Sequence, residues 1–219
     1  MNYILFDGSV RNQLLPFTFT RPVADIRFGI LSMRERWEYI LGSTTSTITE
    51  DYLSEKWPLV EFEENIMINA AYFPSSAFID QVKNLQKNEA IFDGEEIVAF
   101  YTEEDQDVDF SVYKQFEIAG DVLKLEHTWD IFSKNDIAIK FDFELITEDL
   151  ESQPIDPSNY VKNAENIFIE EGAVVENCSL NASNGPIYIG KDALVMEGCF
   201  FRGPIATGEE AIIKMGAKI

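Results

Sequence analysis

The stretch Ile189-Gly-Lys-Asp-Ala-Leu-Val195-Met-Glu-Gly-Cys-Phe-Phe201-Arg-Gly-Pro-Ile-Ala-Thr207-Gly-Glu-Glu-Ala-Ile-Ile213-Lys-Met-Gly-Ala-Lys-Ile219 has a six-residue rhythm. Ile189, Val195, Phe201, Thr207, Ile213 and Ile219 open successive hexads, and a mostly small residue follows four places later: Ala193, Cys199, Ile205, Ala211 and Ala217. Ile169 with Ala173 and Val175 with Ser179 read as two earlier units, with the segment 181–188 breaking the register before it resumes. A period of six fits neither the roughly 3.6-residue face of an α-helix nor a heptad. It fits a parallel β-helix, in which three short strands make one coil and each apolar residue stacks on its counterpart in the next. Ile219 opens a hexad without a polar cap, so the expectation is that these 219 residues are part of a longer protein.

Working back from the repeats, Gln153-Pro-Ile-Asp-Pro-Ser158 reads as a linker, with two prolines among polar neighbours. The expected division is therefore an α/β domain over 1–155 and the first coils of a left-handed β-helix over 156–219. In the first part, Tyr3–Phe6 is a short apolar strand entering a loop at Asp7-Gly8. Arg21-Pro22 is expected to open a helix, with Ile26, Ile30, Met33, Trp37 and Ile40 at helical spacing and Gly42 as its stop. Strands are expected at Thr47–Thr49 and Asn65–Asn69, and Ser75 or Ser76 can cap a helix carrying Phe78, Val82 and Leu85. Asp93-Gly94 reads as a hairpin turn, and Phe132 to Ile146 as one or two short helices. Strands alternating with helices imply a layered α/β fold with a mostly parallel sheet.

Composition narrows the function. The chain is 46% hydrophobic and carries 39 acidic against 17 basic residues, a formal net charge of −22. That balance disfavours nucleic acid or an anionic membrane as partner, because both need a basic footprint. A small phosphorylated ligand needs only a few local cations. The acidic runs Glu103–Asp109 and Glu148–Glu151 read as solvated loops, and the first lacks the spacing of a calcium loop. Cys178 and Cys199 fall on repeat faces as buried thiols of a reducing compartment. The N-terminus lacks a signal-peptide pattern and no run of about eighteen apolar residues exists, so the expected location is cytoplasmic. His127 reads as structural, and there is no Ser/His/Asp set and no His/Cys metal cluster in the sequence pattern.

The stretch Ile4-Leu-Phe-Asp-Gly-Ser-Val-Arg11, with Leu15-Pro16-Phe17-Thr18 and Arg21-Pro22-Val23, resembles the signature loop of sugar-1-phosphate nucleotidyltransferases. Those enzymes carry a strand, a Gly-rich loop ending in Arg, then L-x-P-x-T and a pair of Pro and Lys. Of the family's glycines only Gly8 is present here, and Arg21 stands where Lys is usual. Leu14-Leu-Pro-Phe-Thr-Phe-Thr-Arg-Pro-Val-Ala-Asp-Ile-Arg27, followed by the hexads, is similar to compact bacterial relatives of N-acetylglucosamine-1-phosphate uridyltransferase/glucosamine-1-phosphate acetyltransferase. Those proteins join a short Rossmann-like nucleotidyltransferase domain to a left-handed β-helix.

The resemblance implies transfer of a nucleotidyl group from a nucleoside triphosphate to a sugar 1-phosphate, with a UDP-N-acetylglucosamine-type product and release of pyrophosphate. It implies Arg11 and Arg21 as the catalytic cations, with Asp7, Gly8, Ser9, Arg11 and Thr18 around the nucleotide. Mg²⁺ is the implied cofactor, with Asn69 at the family's metal-binding aspartate and Asn135 at its late asparagine. Asn69 in place of a carboxylate weakens a hard-cation site. The acetyltransferase half of the resembled proteins uses a His and basic residues on later coils, which this sequence lacks. β-Helix enzymes of that kind assemble as trimers, so a homo-oligomer is expected. Three alternatives stand beside this reading: Arg11 and Arg21 as ordinary salt-bridging loop residues; the domain as a degenerate module that binds nucleotide or sugar without transferring it, or merely supports a β-helix trimer; and acyl transfer by a full-length protein as the only physiological activity.

Overall fold

The computed structural model of the protein describes residues 1–104 and 106–219; Asp105, within the acidic run named above, lies outside the described residues. The chain divides into two compact units, one of residues 1–27 and 31–131, the other of residues 28–30 and 132–219. The stretch from residue 132 to the expected linker thus belongs with the repeats.

The first unit is built on a six-stranded sheet. Its strands are β1 (Asn2–Phe6), β2 (Ser46–Ile48), β3 (Glu64–Asn69), β4 (Glu89–Asp93), β5 (Glu96–Glu103) and β6 (Lys114–Glu117), in the order β2-β1-β3-β5-β4-β6. β1 runs parallel to both β2 and β3, with Phe6 opposite Ile48 on one side and Asn69 on the other. β5 is antiparallel to β3 and β4, and β6 returns parallel to β4. The sheet is mixed: the expected parallel arrangement holds around β1, and the Asp93-Gly94 hairpin reverses the chain beyond it. Gly94 takes the left-handed conformation that turn needs. Leu5, Ile66, Ile68, Ala99 and Tyr101 bury one face of the sheet in a core shared with Trp37 and Phe78. Those two rings meet edge to face at 5.4 Å.

The expected helix from Arg21 to Gly42 is shorter than its periodicity suggested. Val23–Asp25 forms a single 3₁₀ turn, and α1 spans only Met33–Leu41. Two local features win over the spacing of apolar residues. Gly29 sits at φ +94°, outside any right-handed helix, and Ser32 starts α1 through a reciprocal capping box with Glu35. Gly42 ends α1 in the left-handed conformation. α2 (Ser76–Asn84) is capped by Ser75.

In the second unit the apolar 132–146 region becomes α4 (Asn135–Thr147), preceded by the single turn α3 (Asp130–Ser133). α4 grips residues 28–30: the Gly29 N–H donates to Asn135 Oδ1 at 2.9 Å and the Ile30 N–H to Asp142 Oδ2 at 2.8 Å. A Cβ on Gly29 would lie 2.4 Å from that Asp142 oxygen, so only glycine fits.

Nine short strands follow: β7 (Tyr160–Lys162), β8 (Ile167–Ile169), β9 (Val174–Val175), β10 (Ser179–Asn181), β11 (Ile187–Ile189), β12 (Leu194–Val195), β13 (Phe200–Arg202), β14 (Ile205–Thr207) and β15 (Ile212–Ile213). They form three parallel sheets, β7-β10-β13, β8-β11-β14 and β9-β12-β15, so the chain visits each sheet in turn and returns one rung on. This arrangement is compatible with a parallel β-helix. Ile169, Val175, Ile189, Val195, Phe201 and Thr207 are buried as the hexads require, while Ile213 is partly buried and Ile219 is exposed. One register detail differs from the sequence reading: Cys178, not Ser179, takes the inward place after Val175. The inward side chain therefore falls three residues after Val175 at that corner, and four after Val195.

Inward and outward positions on the short strands differ in their contribution to stability. Ile189→Ala removes a fully buried side chain and is expected to cost about 2–5 kcal/mol. Ile212→Ala, on an exposed outward side chain, is expected to stay within about 0.5 kcal/mol. Urea denaturation of both variants checks this, and equal losses would contradict the inward assignment.

Candidate active site

β1 and β2 end side by side, and the chain leaves β1 into the loop that begins at Asp7. A cleft of about 570 Å³ opens there, lined by Asp7, Gly8, Ser9, Arg11 and Asn12 of that loop and by Thr49, Glu50 and Asp51 after β2. Phe6, Ile48, Met67 and Phe100 give it an apolar floor. Parallel strands end here, the edge at which open α/β sheets take up ligands.

The loop is held in shape by one carboxylate. Asp7 Oδ1 accepts the Val23 N–H at 2.7 Å, and Oδ2 accepts the Thr49 hydroxyl at 2.6 Å together with a short contact from Arg11 Nη1. Arg11 Nη2 donates to the Thr18 carbonyl at 2.6 Å and to the Tyr52 hydroxyl at 3.0 Å; Nη1 also reaches the Thr49 hydroxyl, and Nε lies 3.5 Å from Glu50. The Thr18 hydroxyl returns a bond to the Arg11 carbonyl at 2.8 Å. Arg11 thus links Asp7 to Thr18 and closes the loop on itself. Arg21 is different: it is exposed and forms no ion pair among the described residues. The two arginines do not line one cleft, since Arg11 borders the cleft and Arg21 is not among its lining residues.

Gly8 is required by close approach rather than by backbone angle. A Cβ there would meet the Asn69 amide nitrogen at 2.3 Å. Asn69, at the end of β3, is fully buried. Its Oδ1 accepts the Ala71 N–H at 3.1 Å, and its Nδ2 donates to the Ile97 carbonyl at 3.3 Å and towards Glu96 Oε1 at 3.4 Å. Asn135 belongs to the second unit, with its oxygen on the Gly29 N–H.

Glu96 is the centre of a second polar cluster that the sequence did not single out. Oε1 accepts the Ser9 hydroxyl at 2.8 Å; Oε2 accepts the Tyr72 hydroxyl at 3.2 Å and a short contact from Lys124 Nζ. Burial alone would push the Glu96 carboxyl up, but its bonds from Lys124, Ser9 and Tyr72 and the Lys124 charge hold it below the usual carboxylate value. Burial and the bond to Asp93 push the Tyr72 phenol up. No local motif marks this cluster: Glu96 is the second acid after a hairpin turn, and Lys124 lies in an otherwise unremarkable segment.

The Mg²⁺ implied by the resemblance can be tested against these donors. A hard cation needs free carboxylate or carbonyl oxygens. Asn69 has both ends of its amide engaged and no access from outside, and Asn135 Oδ1 holds a backbone N–H, so these two do not fit. Glu126, His127 and Asp130 bring three ligand atoms within 4.8 Å of one another. Asp130 Oδ2 there accepts the Glu126 and His127 N–H groups at 2.9 and 3.0 Å, and the His127 ring stacks on Trp129 at 4.3 Å. Those contacts already account for the arrangement as the start of α3.

The sequence profile of the sugar nucleotidyl transferase family matches residues 3–151, and the chain belongs to that family. The match covers the loop, the cleft and the Glu96 cluster, and ends before β7. Comparison with curated proteins gives no match. Among the described residues no helix is long and apolar enough to cross a membrane.

The two arginines separate by stability. Arg11→Ala strands the buried Asp7 carboxylate and is expected to cost about 3–5 kcal/mol in urea denaturation. Arg21→Ala, at an exposed site, is expected to change stability by less than about 0.5 kcal/mol. Equal costs would refute the assignment of Arg11 as the loop's internal clasp.

Proposed function

We propose that the chain is a sugar-1-phosphate nucleotidyltransferase acting in the cleft beside the Asp7–Arg11 loop. The observation that carries this reading is the coincidence of the family match with a cleft at the ends of β1 and β2. A phosphate oxygen of the sugar 1-phosphate attacks the α-phosphorus of a nucleoside triphosphate, and the bond to the β-phosphate oxygen breaks to release pyrophosphate. The attacking oxygen is already anionic, so no residue need act as a covalent nucleophile. The apolar floor of Phe6, Ile48, Met67 and Phe100 suits a nucleobase, and Gly8 and Ser9 stand at its polar edge. Arg21, exposed and uncommitted, is the loop cation available to the phosphates. Mg²⁺ enters as part of the nucleotide substrate. A UDP-N-acetylglucosamine-type product is the preferred reading, from the resemblance of the loop.

The three rotating sheets support a left-handed β-helix in the second unit. We assign it to assembly as a homo-oligomer, and place the protein in the cytoplasm.

One observation favours a second reading, a module that binds nucleotide or sugar without transfer. The cleft holds three carboxylates, Asp7, Glu50 and Asp51, against a single cation, and that cation is spent on Asp7 and Glu50. A pyrophosphate-release assay over several triphosphates and sugar 1-phosphates separates the two. Turnover with at least one pair is expected, and Arg21→Ala is expected to weaken triphosphate binding by about 1–3 kcal/mol. Nucleotide binding without pyrophosphate release by any pair would favour the module.

A further inference from the structure

Arg11 cannot serve an incoming phosphate without abandoning the loop, because its guanidinium already meets Asp7, Thr49, Thr18, Tyr52 and Glu50. Asn69 offers no carboxylate for a divalent ion. On its Ser9 side the loop is nevertheless joined, through Glu96, to another cation. Just beyond Asn69, residues 71–73 pair with 123–125: the Phe73 N–H donates to the Leu123 carbonyl at 2.8 Å and the Leu125 N–H to the Ala71 carbonyl at 2.9 Å. This antiparallel pairing sets Lys124 opposite Tyr72, with its ammonium 5.0 Å from that ring's centre. The ammonium rests on Glu96 Oε2, while Glu96 Oε1 holds Ser9 and faces the Asn69 amide. A second carboxylate, Glu126 at 3.7 Å, is half-exposed.

We propose that Lys124, anchored on Glu96 beside Ser9, is a fixed cation for the phosphates of a nucleotide, doing at this end of the sheet what a divalent ion on an acidic residue at position 69 would do. Two differences from Arg11 make Lys124 suited to this. An ammonium is a compact charge with three rotatable donors, which can be shared between a carboxylate and a phosphate oxygen, whereas the Arg11 fork is held by five partners. A more distant partner, Glu126, is half-exposed and is the group an anion would displace, while Glu96 keeps the ammonium in place. Asn69 fits the same logic: an amide donor beside Glu96 avoids the repulsion that a second carboxylate would bring there.

The inference rests on the nucleotidyltransferase reading but is tested apart from it, by calorimetric titration of inorganic tripolyphosphate into the full chain with EDTA and again with Mg²⁺. Wild type is expected to bind in EDTA. Lys124→Met is expected to weaken binding about 10-fold or more, and Lys124→Arg to restore most of it, on the scale of one charge-assisted hydrogen bond. Lys87→Met, at the exposed Lys87–Glu103 pair, serves as the control and is expected to change nothing. If Lys124→Met does not fold, Glu126→Gln decides: removing the competing carboxylate is expected to tighten binding severalfold in EDTA. A folded Lys124→Met with wild-type affinity, an unchanged Glu126→Gln, or binding that appears only with Mg²⁺ would overturn the proposal. Binding without pyrophosphate release would sink the enzyme reading alone, and pyrophosphate release with Lys124-independent binding would sink this inference alone.

Discussion

The Asp7 carboxylate is the constraint on which the site depends. It stands at the end of β1, almost entirely buried, and is compensated by Arg11, Thr49 and the Val23 N–H. Through those three contacts it fixes the loop of residues 8–20, the start of the segment after β2, and the turn that leads to α1. A buried carboxylate of this kind is costly unless every neighbour is in place, so the loop has one arrangement rather than many. That explains why a motif with a single glycine can still hold a defined shape: the rigidity comes from a charge pair and its hydrogen bonds. It also explains why Gly8 must stay small, since the loop is pressed against the Asn69 amide.

Charge placement then follows from what is already spent. The loop arginine neutralises the loop's own aspartate, which leaves a cleft rich in carboxylates with an apolar floor. An anionic ligand needs compensation from cations whose partners can yield. Arg21, exposed after the loop, and Lys124, held on Glu96 next to Ser9, are candidates for this role. The amide at position 69 belongs to the same arrangement, because Glu96 carries the negative charge at that end of the sheet and Lys124 balances it.

Much of the fold was legible in the sequence because its signals are periodic or local. The hexads from Ile189 to Ile213 set inward positions that the three rotating sheets reproduce. Asp93-Gly94 and Gly42 marked a turn and a helix end by backbone requirement. The 21–42 helix was overestimated because apolar spacing cannot register a capping box at Ser32 or a clasp on Gly29 made by residues 135 and 142, more than a hundred positions away. The same distance hid the chemistry. The loop motif pointed to Asp7 and Arg11, but whether Arg11 faces a ligand or its own loop depends on Thr49, Glu50 and Tyr52, which no motif connects to it. Glu96 and Lys124 meet through strand pairing, which leaves no trace in either local sequence.

On this reading Arg11 is architecture and the phosphates are met from the Ser9 side. A crystal structure of the protein with a non-hydrolysable nucleoside triphosphate tests it most directly. Phosphate oxygens are expected beside Gly8 and Ser9 within hydrogen-bonding reach of Lys124, with Arg11 still on Asp7 and the Thr18 carbonyl. Arg11 swung away from Asp7 onto the phosphates, with Lys124 remote from them, would contradict it.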